Sequence, residues 1–199
     1  MKLPSDDAGS IHLENNLFLG FCPEGQAGSE VDAITGHLKD GHGLTGNPQG
    51  LSRYHVSLYS LGKLPIIPPD IAAKLGEVFA PFAAEMAPFD VCLDRALTFK
   101  INRSKHPFVL VGSEKNPPLM RFHRKLGALL GLRRQSFTPH LTMLWDAKLV
   151  AERPVQPVRW TVTKLVLVHS YVGLSRHQRL ASWPLCGRLL CDEQMDLPF

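Results

Sequence analysis

Two short segments of this 199-residue chain repeat one alternation, His55-Val56-Ser57-Leu58 and His140-Leu141-Thr142-Met143. Each reads histidine, apolar, hydroxyl, apolar. Successive side chains of a strand point to opposite faces, so His55 shares a face with Ser57, and His140 with Thr142. Val56, Leu58, Leu141 and Met143 project the other way. The polar face cannot enter a core, because two imidazoles and two hydroxyls would then need buried partners. Each strand is therefore expected to wall a wet cleft on one side and to pack a helix on the other.

The two segments occupy matching places in a repeated order of strand, helix, loop, strand. The first copy opens with a strand over 16–22. A helix over 29–40 follows, with Val31, Ile34 and Leu38 on one face, Ser29 and Asp32 in a capping-box pattern, and Gly41 as its stop. The stretch 41–50 holds four glycines and one proline and predicts a mobile loop. It lacks the G-K-[ST] ending of a phosphate loop, so a lid or a bare connection is the expectation. Ser52–Ser60 then reads as the motif strand.

Pro68 and Pro69 open a helix running to Met86, with Ile71, Leu75, Val78, Phe79 and Phe82 as a core stripe. A half-buried strand is expected over 89–100. The second copy starts with a strand over 107–112. Asn116 caps and Pro117 opens the next helix, which Gly131 ends, with Leu119, Phe122, Leu126 and Leu129 facing inward. Strands over 137–145, 160–170 and 178–185 complete the reading. An approximate two-fold relating the copies would set the two histidine/hydroxyl pairs face to face across the cleft.

Such a cleft suits phosphodiester chemistry. Unperturbed histidine titrates near pH ~6.5, so one ring can be neutral while the other is protonated. A neutral imidazole activates a water or hydroxyl for attack on phosphorus, and an imidazolium opposite it protonates the departing oxygen. The Ser57 and Thr142 hydroxyls can hold the non-bridging oxygens between them. No metal or other cofactor is needed, and no H-x-x-x-H or H-E-x-x-H spacing points to one.

Composition bounds the alternatives. With 44% hydrophobic and 20% charged residues the chain is globular, and it is long enough to bury a core without disulfides or metal. No apolar run approaches a membrane span, and the polar N-terminus lacks the features of a secretory signal, so a cytoplasmic protein is expected. The four cysteines form no C-x-x-C pair and are expected as reduced thiols, with Cys191 in a tail. A net charge of +4 suits an anionic ligand but is too small for a broad nucleic-acid coat.

On His55-Val56-Ser57-Leu58 running to Leu61-Gly62, and on Phe137-Thr138-Pro139-His140-Leu141-Thr142-Met143, the chain resembles the 2H phosphoesterase superfamily. It specifically resembles the LigT-like branch, the 2'-5' RNA ligase or RNA 2',3'-cyclic phosphodiesterase family. Leu17-Phe18-Leu19 and the segment 160–170 support the resemblance, which covers roughly 16–185. It implies a bilobal, pseudo-two-fold α+β domain, with antiparallel sheets lining a central cleft and helices packed outside, flanked by tails over 1–15 and 186–199. It implies hydrolysis of a 2',3'-cyclic phosphate to a 2'-phosphate, with 2'-5' ligation as a side activity. By analogy His55 is the proton donor, His140 the acceptor, and Ser57 and Thr142 the phosphate ligands. The expected partners are RNA ends or small cyclic nucleotides, bound by a monomer away from any membrane. Two departures stand out. Ser57 replaces the commoner threonine, and Leu144-Trp145-Asp146 occupies the place where relatives commonly carry an arginine.

Around the motifs, Tyr59 shares the strand parity of His55 and is a candidate base-stacking ring, with a packing role as the equal alternative. A basic stretch of Arg121, Arg124, Lys125, Arg133 and Arg134 on a helix and its exit loop reads as a solvated face, with Arg133 and Arg134 as candidates for RNA phosphates. Tyr54, Phe137 and Trp145 flank the motifs. His169 reads as a core or rim residue. His12, His37, His42, His106, His123 and His177 have no partnered spacing and are assigned nothing. The alternative functional reading is a non-catalytic nucleotide- or RNA-binding module on the same fold; a metal-dependent hydrolase is the third.

Overall fold

The apolar alternation along the strands and the apolar stripes of the helices meet in a two-layer α+β structure, seen here in a computed structural model that describes residues 15–114, 116–133, 136–171 and 173–187. In chain order the elements are β1 (Asn15–Phe21), α1 (Ala27–His42), β2 (Val56–Leu64), α2 (Ile71–Glu85), β3 (Phe89–Thr98) and β4 (His106–Val111). They continue with α3 (Pro117–Leu129), β5 (His140–Asp146), β6 (Arg153–Val162), β7 (Lys164–Tyr171) and β8 (Arg176–Pro184). The strands form one antiparallel sheet in the order β6-β3-β4-β5-β2-β1-β7-β8.

That order is two four-stranded halves meeting at the motif strands. Outward from the seam one half reads β2, β1, β7, β8 and the other β5, β4, β3, β6. The expected pseudo-two-fold is visible in this mirror order. The seam itself is a single pair, Val56 opposite Leu141, so the two halves diverge on either side of it.

The sheet is strongly curled, and the chain path shows why. A single residue, Thr163, connects β6 at one edge to β7 in the other half. Neighbouring Cα atoms lie only ~3.8 Å apart, so the sheet must wrap until those strand ends nearly meet. The one strand expected over 160–170 is therefore two, broken at Thr163. The apolar run carries no local mark of such a crossing, because Trp160 and Val162 before it and Leu165 after it are all core residues.

All three helices contribute to one core with one face of the sheet. Val31 and Leu38 of α1, Phe79 and Ala83 of α2, and Leu119, Phe122 and Leu126 of α3 pack with Leu19, Phe21, Val56, Leu93, Leu110, Leu141 and Leu167. Helix α1 leaves β1 in one half but packs on β5 and β6 of the other, so it straps the seam. The opposite face carries a smaller apolar cluster of Phe18, Cys22, Val166 and Val168.

Several local expectations are corrected. Helix α1 runs past Gly41 and stops at Gly43, whose left-handed φ of 58° closes the last turn. Strand β2 starts at Val56 rather than at residue 52, because Arg53 turns back onto the Gly50 carbonyl. Val78 is 46% exposed and Leu129 43%, so each lies outside the buried stripe of its helix. Asn116 sits at the start of α3 but caps nothing; its side chain bridges to the Cys92 backbone N–H and carbonyl. The thiol of Cys22 is buried and that of Cys186 exposed, both free; Cys191 and most of the two tails lie outside the described residues.

Candidate active site

The seam pair Val56 and Leu141 is fully buried toward the helices. Alternation then sends the residues on either side of it, His55 and Ser57 from one half and His140 and Thr142 from the other, to the opposite, concave face. All four are half-buried. Continuing the antiparallel crossing past the bridge sets His55 beside Thr142 and Ser57 beside His140. The four residues singled out by the repeat thus come together where the two half-sheets pair.

Both imidazoles are held by the same device. His55 Nδ1 lies 2.7 Å from the Arg53 carbonyl, and His140 Nδ1 lies 2.8 Å from the Thr138 carbonyl. A carbonyl only accepts, so each Nδ1 carries a proton and donates it two residues back. Each Nε2 is consequently the nitrogen that can accept or give a proton at the cleft. An aromatic ring flanks each histidine as well: Phe18 at 4.6 Å from His55 and Phe99 at 5.1 Å from His140, between centroids.

The surroundings then differ. Against His55 stands a third histidine, His177 of β8, with ring centroids 5.1 Å apart, and Phe18 lies at 5.6 Å from His177. Strands β2 and β8 are three spacings apart, ~14 Å in a flat sheet, so the curl delivers this contact. Burial lowers the pKa of His55, helped by the nearby charges of His140 and Arg53 and opposed by its bond to the Arg53 carbonyl. Burial also lowers His177, to about 4, with His55 and Arg53 adding to the effect. Nothing in the sequence marked His177, because its strand reaches the site only through tertiary curl.

Tyr59 does not keep the parity of His55. Leu19 pairs with Tyr59 but Gly20 pairs with Ser57, so Leu58 is an extra residue in β2. This bulge turns Tyr59 to the helix side. There it is buried, its hydroxyl 3.2 Å from both the Nδ1 and the carbonyl of His123, and its ring stacked on that histidine at 4.3 Å. Phe137 covers the other side of His123 at 3.8 Å, so three rings from β2, α3 and the approach to β5 form one stack. Of the two readings of Tyr59, base-stacking ring or packing residue, it takes the packing one, and its parity with His55 is corrected. Arg133 lies with Arg121 and Arg124 along a groove of about 600 Å³ beside α3, which Tyr59 and His123 also line. Arg134 lies outside the described residues. His169 is a buried rim residue bonded through Nε2 to Asn15 Oδ1 at 2.8 Å.

The stretch 41–50 is not the free loop expected. Strand β2 meets β5 at one pair only, leaving the rest of that edge of β5 without a strand neighbour. The stretch supplies partners: Pro48 bridges Leu144, and Gln49 N–H donates to the Met143 carbonyl at 2.8 Å. Asp146, at the end of β5, anchors it. Its carboxylate accepts from Thr45 N–H and Gly46 N–H at 2.7 Å each, from the Thr45 hydroxyl at 3.3 Å, and from Lys148 N–H at 2.8 Å. These backbone donors, Lys148 first, hold its pKa down at about 2 despite burial. Gly46 fits because a Cβ there would run into the Trp145 carbonyl. Asp146 thus has a structural task just after the second motif.

Among the described residues no group of three or more His, Cys, Asp or Glu is arranged to hold a metal ion. No helix among them is long and apolar enough to cross a membrane.

Solved structures share this architecture. Escherichia coli LigT in complex with NADP+ matches at a TM-score of 0.63 and 21% identity, over 87% of this chain and 99% of that one. LigT in complex with 3'-AMP matches at 0.63 and 20%, over 86% and 98%. TT0787, a protein of Thermus thermophilus, matches at 0.58 and 18%, over 87% and 99%. No curated protein matches the chain. The family model described as the 2'-5' RNA ligase superfamily matches residues 23–173, spanning both motif strands. With that match and the shared fold, the chain belongs to the 2'-5' RNA ligase superfamily, a family of LigT-like phosphoesterases.

Proposed function

We propose that this protein is a metal-independent phosphodiesterase that opens 2',3'-cyclic phosphates of RNA ends or small nucleotides to 2'-phosphates. The observation that carries the reading is the matched pair of histidines. Both rings are fixed through Nδ1 to the carbonyl two residues back, so both Nε2 atoms are left for proton transfer across one seam. Binding alone does not call for two such rings.

In the reaction a water attacks phosphorus and gives its proton to one Nε2. The bond from phosphorus to the 3'-oxygen breaks, and that oxygen takes a proton from the other Nε2, leaving a 3'-hydroxyl and a 2'-phosphate. Ser57 and Thr142 donate to the non-bridging oxygens and hold the phosphorus in line. Analogy makes His55 the donor and His140 the acceptor. The depressed pKa of His55 adds a condition: in the free protein it favours the neutral ring, so it becomes the donor when a bound phosphate anion draws the proton onto it. With a ribose 5'-hydroxyl in place of water, the same steps join two RNA ends through a 2'-5' bond.

LigT has been crystallised with NADP+, 3'-AMP, ATP and phosphate, which supports a nucleotide partner here. The deciding experiment is a turnover screen of nucleoside 2',3'-cyclic phosphates, cyclic-phosphate RNA ends and 2'-5' dinucleotides, with and without a chelator. Turnover unaffected by the chelator is expected. Binding to these ends without turnover across the panel would favour the binding-module reading instead, and restoration by added metal would favour a metallohydrolase.

A further inference from the structure

Arg53, at the entry to β2, is a half-buried cation. Its Nε is buried and has no hydrogen-bond partner. Among the described residues no carboxylate pairs with it. An arginine keeps its charge even where burial opposes it, because its intrinsic pKa is above ~12. A buried N–H donor without an acceptor costs free energy, and an anion arriving beside it supplies the missing partner.

The backbone of Arg53 is fixed from both sides. Its N–H donates to the Gly50 carbonyl at 3.0 Å, and its own carbonyl takes the His55 Nδ1 proton at 2.7 Å. The residue is therefore tied directly to the ring that faces the cleft. Its charge is felt by both His55 and His177, which places the guanidinium on the side of the cleft where those two rings meet. Neither ring is an anion, so neither completes it. The chemistry proposed above brings one anion to this face, a phosphate.

We infer that Arg53 is the charge anchor for the substrate phosphate, its guanidinium taking non-bridging oxygens from the His55 side while Ser57 and Thr142 hold them at the seam. This rests on the phosphodiesterase reading and names the residue that supplies its electrostatic recognition. Planar N–H donors on a fixed backbone suit a phosphate better than a mobile ammonium does.

The test uses the full chain and inorganic phosphate as probe. Arg53→Gln should weaken phosphate binding by about 10- to 100-fold and raise KM for a cyclic phosphate over the same range. Arg53→Lys should recover part of the loss. In the phosphate-free Arg53→Gln protein the ring NMR titrations of His55 and His177 should both move up in pH, since a positive neighbour is gone. In the wild type, saturating phosphate should shift the Arg53 Nε–H resonance, a measurement that needs no variant to fold. A wild type that binds no phosphate, an Nε–H signal that stays put, or a folded Arg53→Gln with wild-type phosphate affinity would each overturn the inference. Loss of turnover in His55→Ala and His140→Ala alongside a wild-type Arg53→Gln would sink this inference and leave the phosphodiesterase reading standing. A wild type that binds phosphate through Arg53 but turns over no cyclic phosphate would do the reverse.

Discussion

On the β5 side of the seam, His140 meets Phe99 edge-on; on the β2 side, His55 is enclosed by Phe18, His177 and the Arg53 backbone. The motif strands are near copies, down to the same Nδ1 bond to the carbonyl two residues back. The outer strands are not. β8 brings a third imidazole to one half, and no histidine ring of β6 meets His140 in the other. The lesson is that duplication fixes both rings alike, while the flanking strands make their surroundings unequal. The proposed division of labour between acid and base draws on that inequality.

The comparison breaks first if the two histidines are not both required. His55→Ala and His140→Ala should each lower turnover of a cyclic phosphate by about 10²- to 10⁴-fold, measured as kcat on the best substrate of the screen. Near wild-type turnover in either would refute the paired mechanism.

Next comes the anchor of the second motif strand. Asp146→Ala leaves the Thr45, Gly46 and Lys148 N–H groups without their carboxylate, and should cost about 1–3 kcal/mol in denaturant unfolding. The pH dependence has a definite sign. Because the folded pKa is depressed to about 2, this contribution is fully present above the ordinary carboxylate range near ~4 and is lost as pH falls toward 2. An acid unfolding curve that is the same for wild type and Asp146→Asn would contradict it.

The inequality itself is tested by opening the β2 side. His177→Ala lets water reach His55, relieving part of the burial that depresses its pKa, so the His55 ring should titrate at higher pH in NMR. Phe99→Ala, in the other half, should leave His55 where it is. Equal responses to the two substitutions would mean that the flanking strands do not set the difference.

The smallest effect is expected at Tyr59. Tyr59→Phe removes a hydroxyl bonded to His123 and should cost about 1 kcal/mol of stability with KM unchanged. A raised KM would put the ring back at the substrate, against its burial under α3.

How much was legible beforehand follows from which contacts are local. The two motif strands, the apolar stripes of α1 and α3, and the proline openings of α2 and α3 depend on near neighbours in the chain, and the structure places them close to where the pattern predicts. Tyr59 was misplaced because one extra residue, Leu58, reverses alternation without any compositional mark. The stretch 41–50 looked mobile because its glycines were visible while its anchor, Asp146, lies a hundred residues away. The run 160–170 hid a crossing because Val162 and Leu165, on either side of it, are both buried core residues and nothing local marks the break at Thr163.

By itself, then, the sequence determined that two histidine/hydroxyl strands must present one polar face each, because period two and the cost of burying imidazoles leave no other arrangement. Only the tertiary structure decided what those faces meet. The single Val56–Leu141 bridge brings them together, and the curl of the sheet carries His177 to His55 across two intervening strands. Such contacts arise from backbone twist summed over many residues, and no local pattern of side chains encodes that sum.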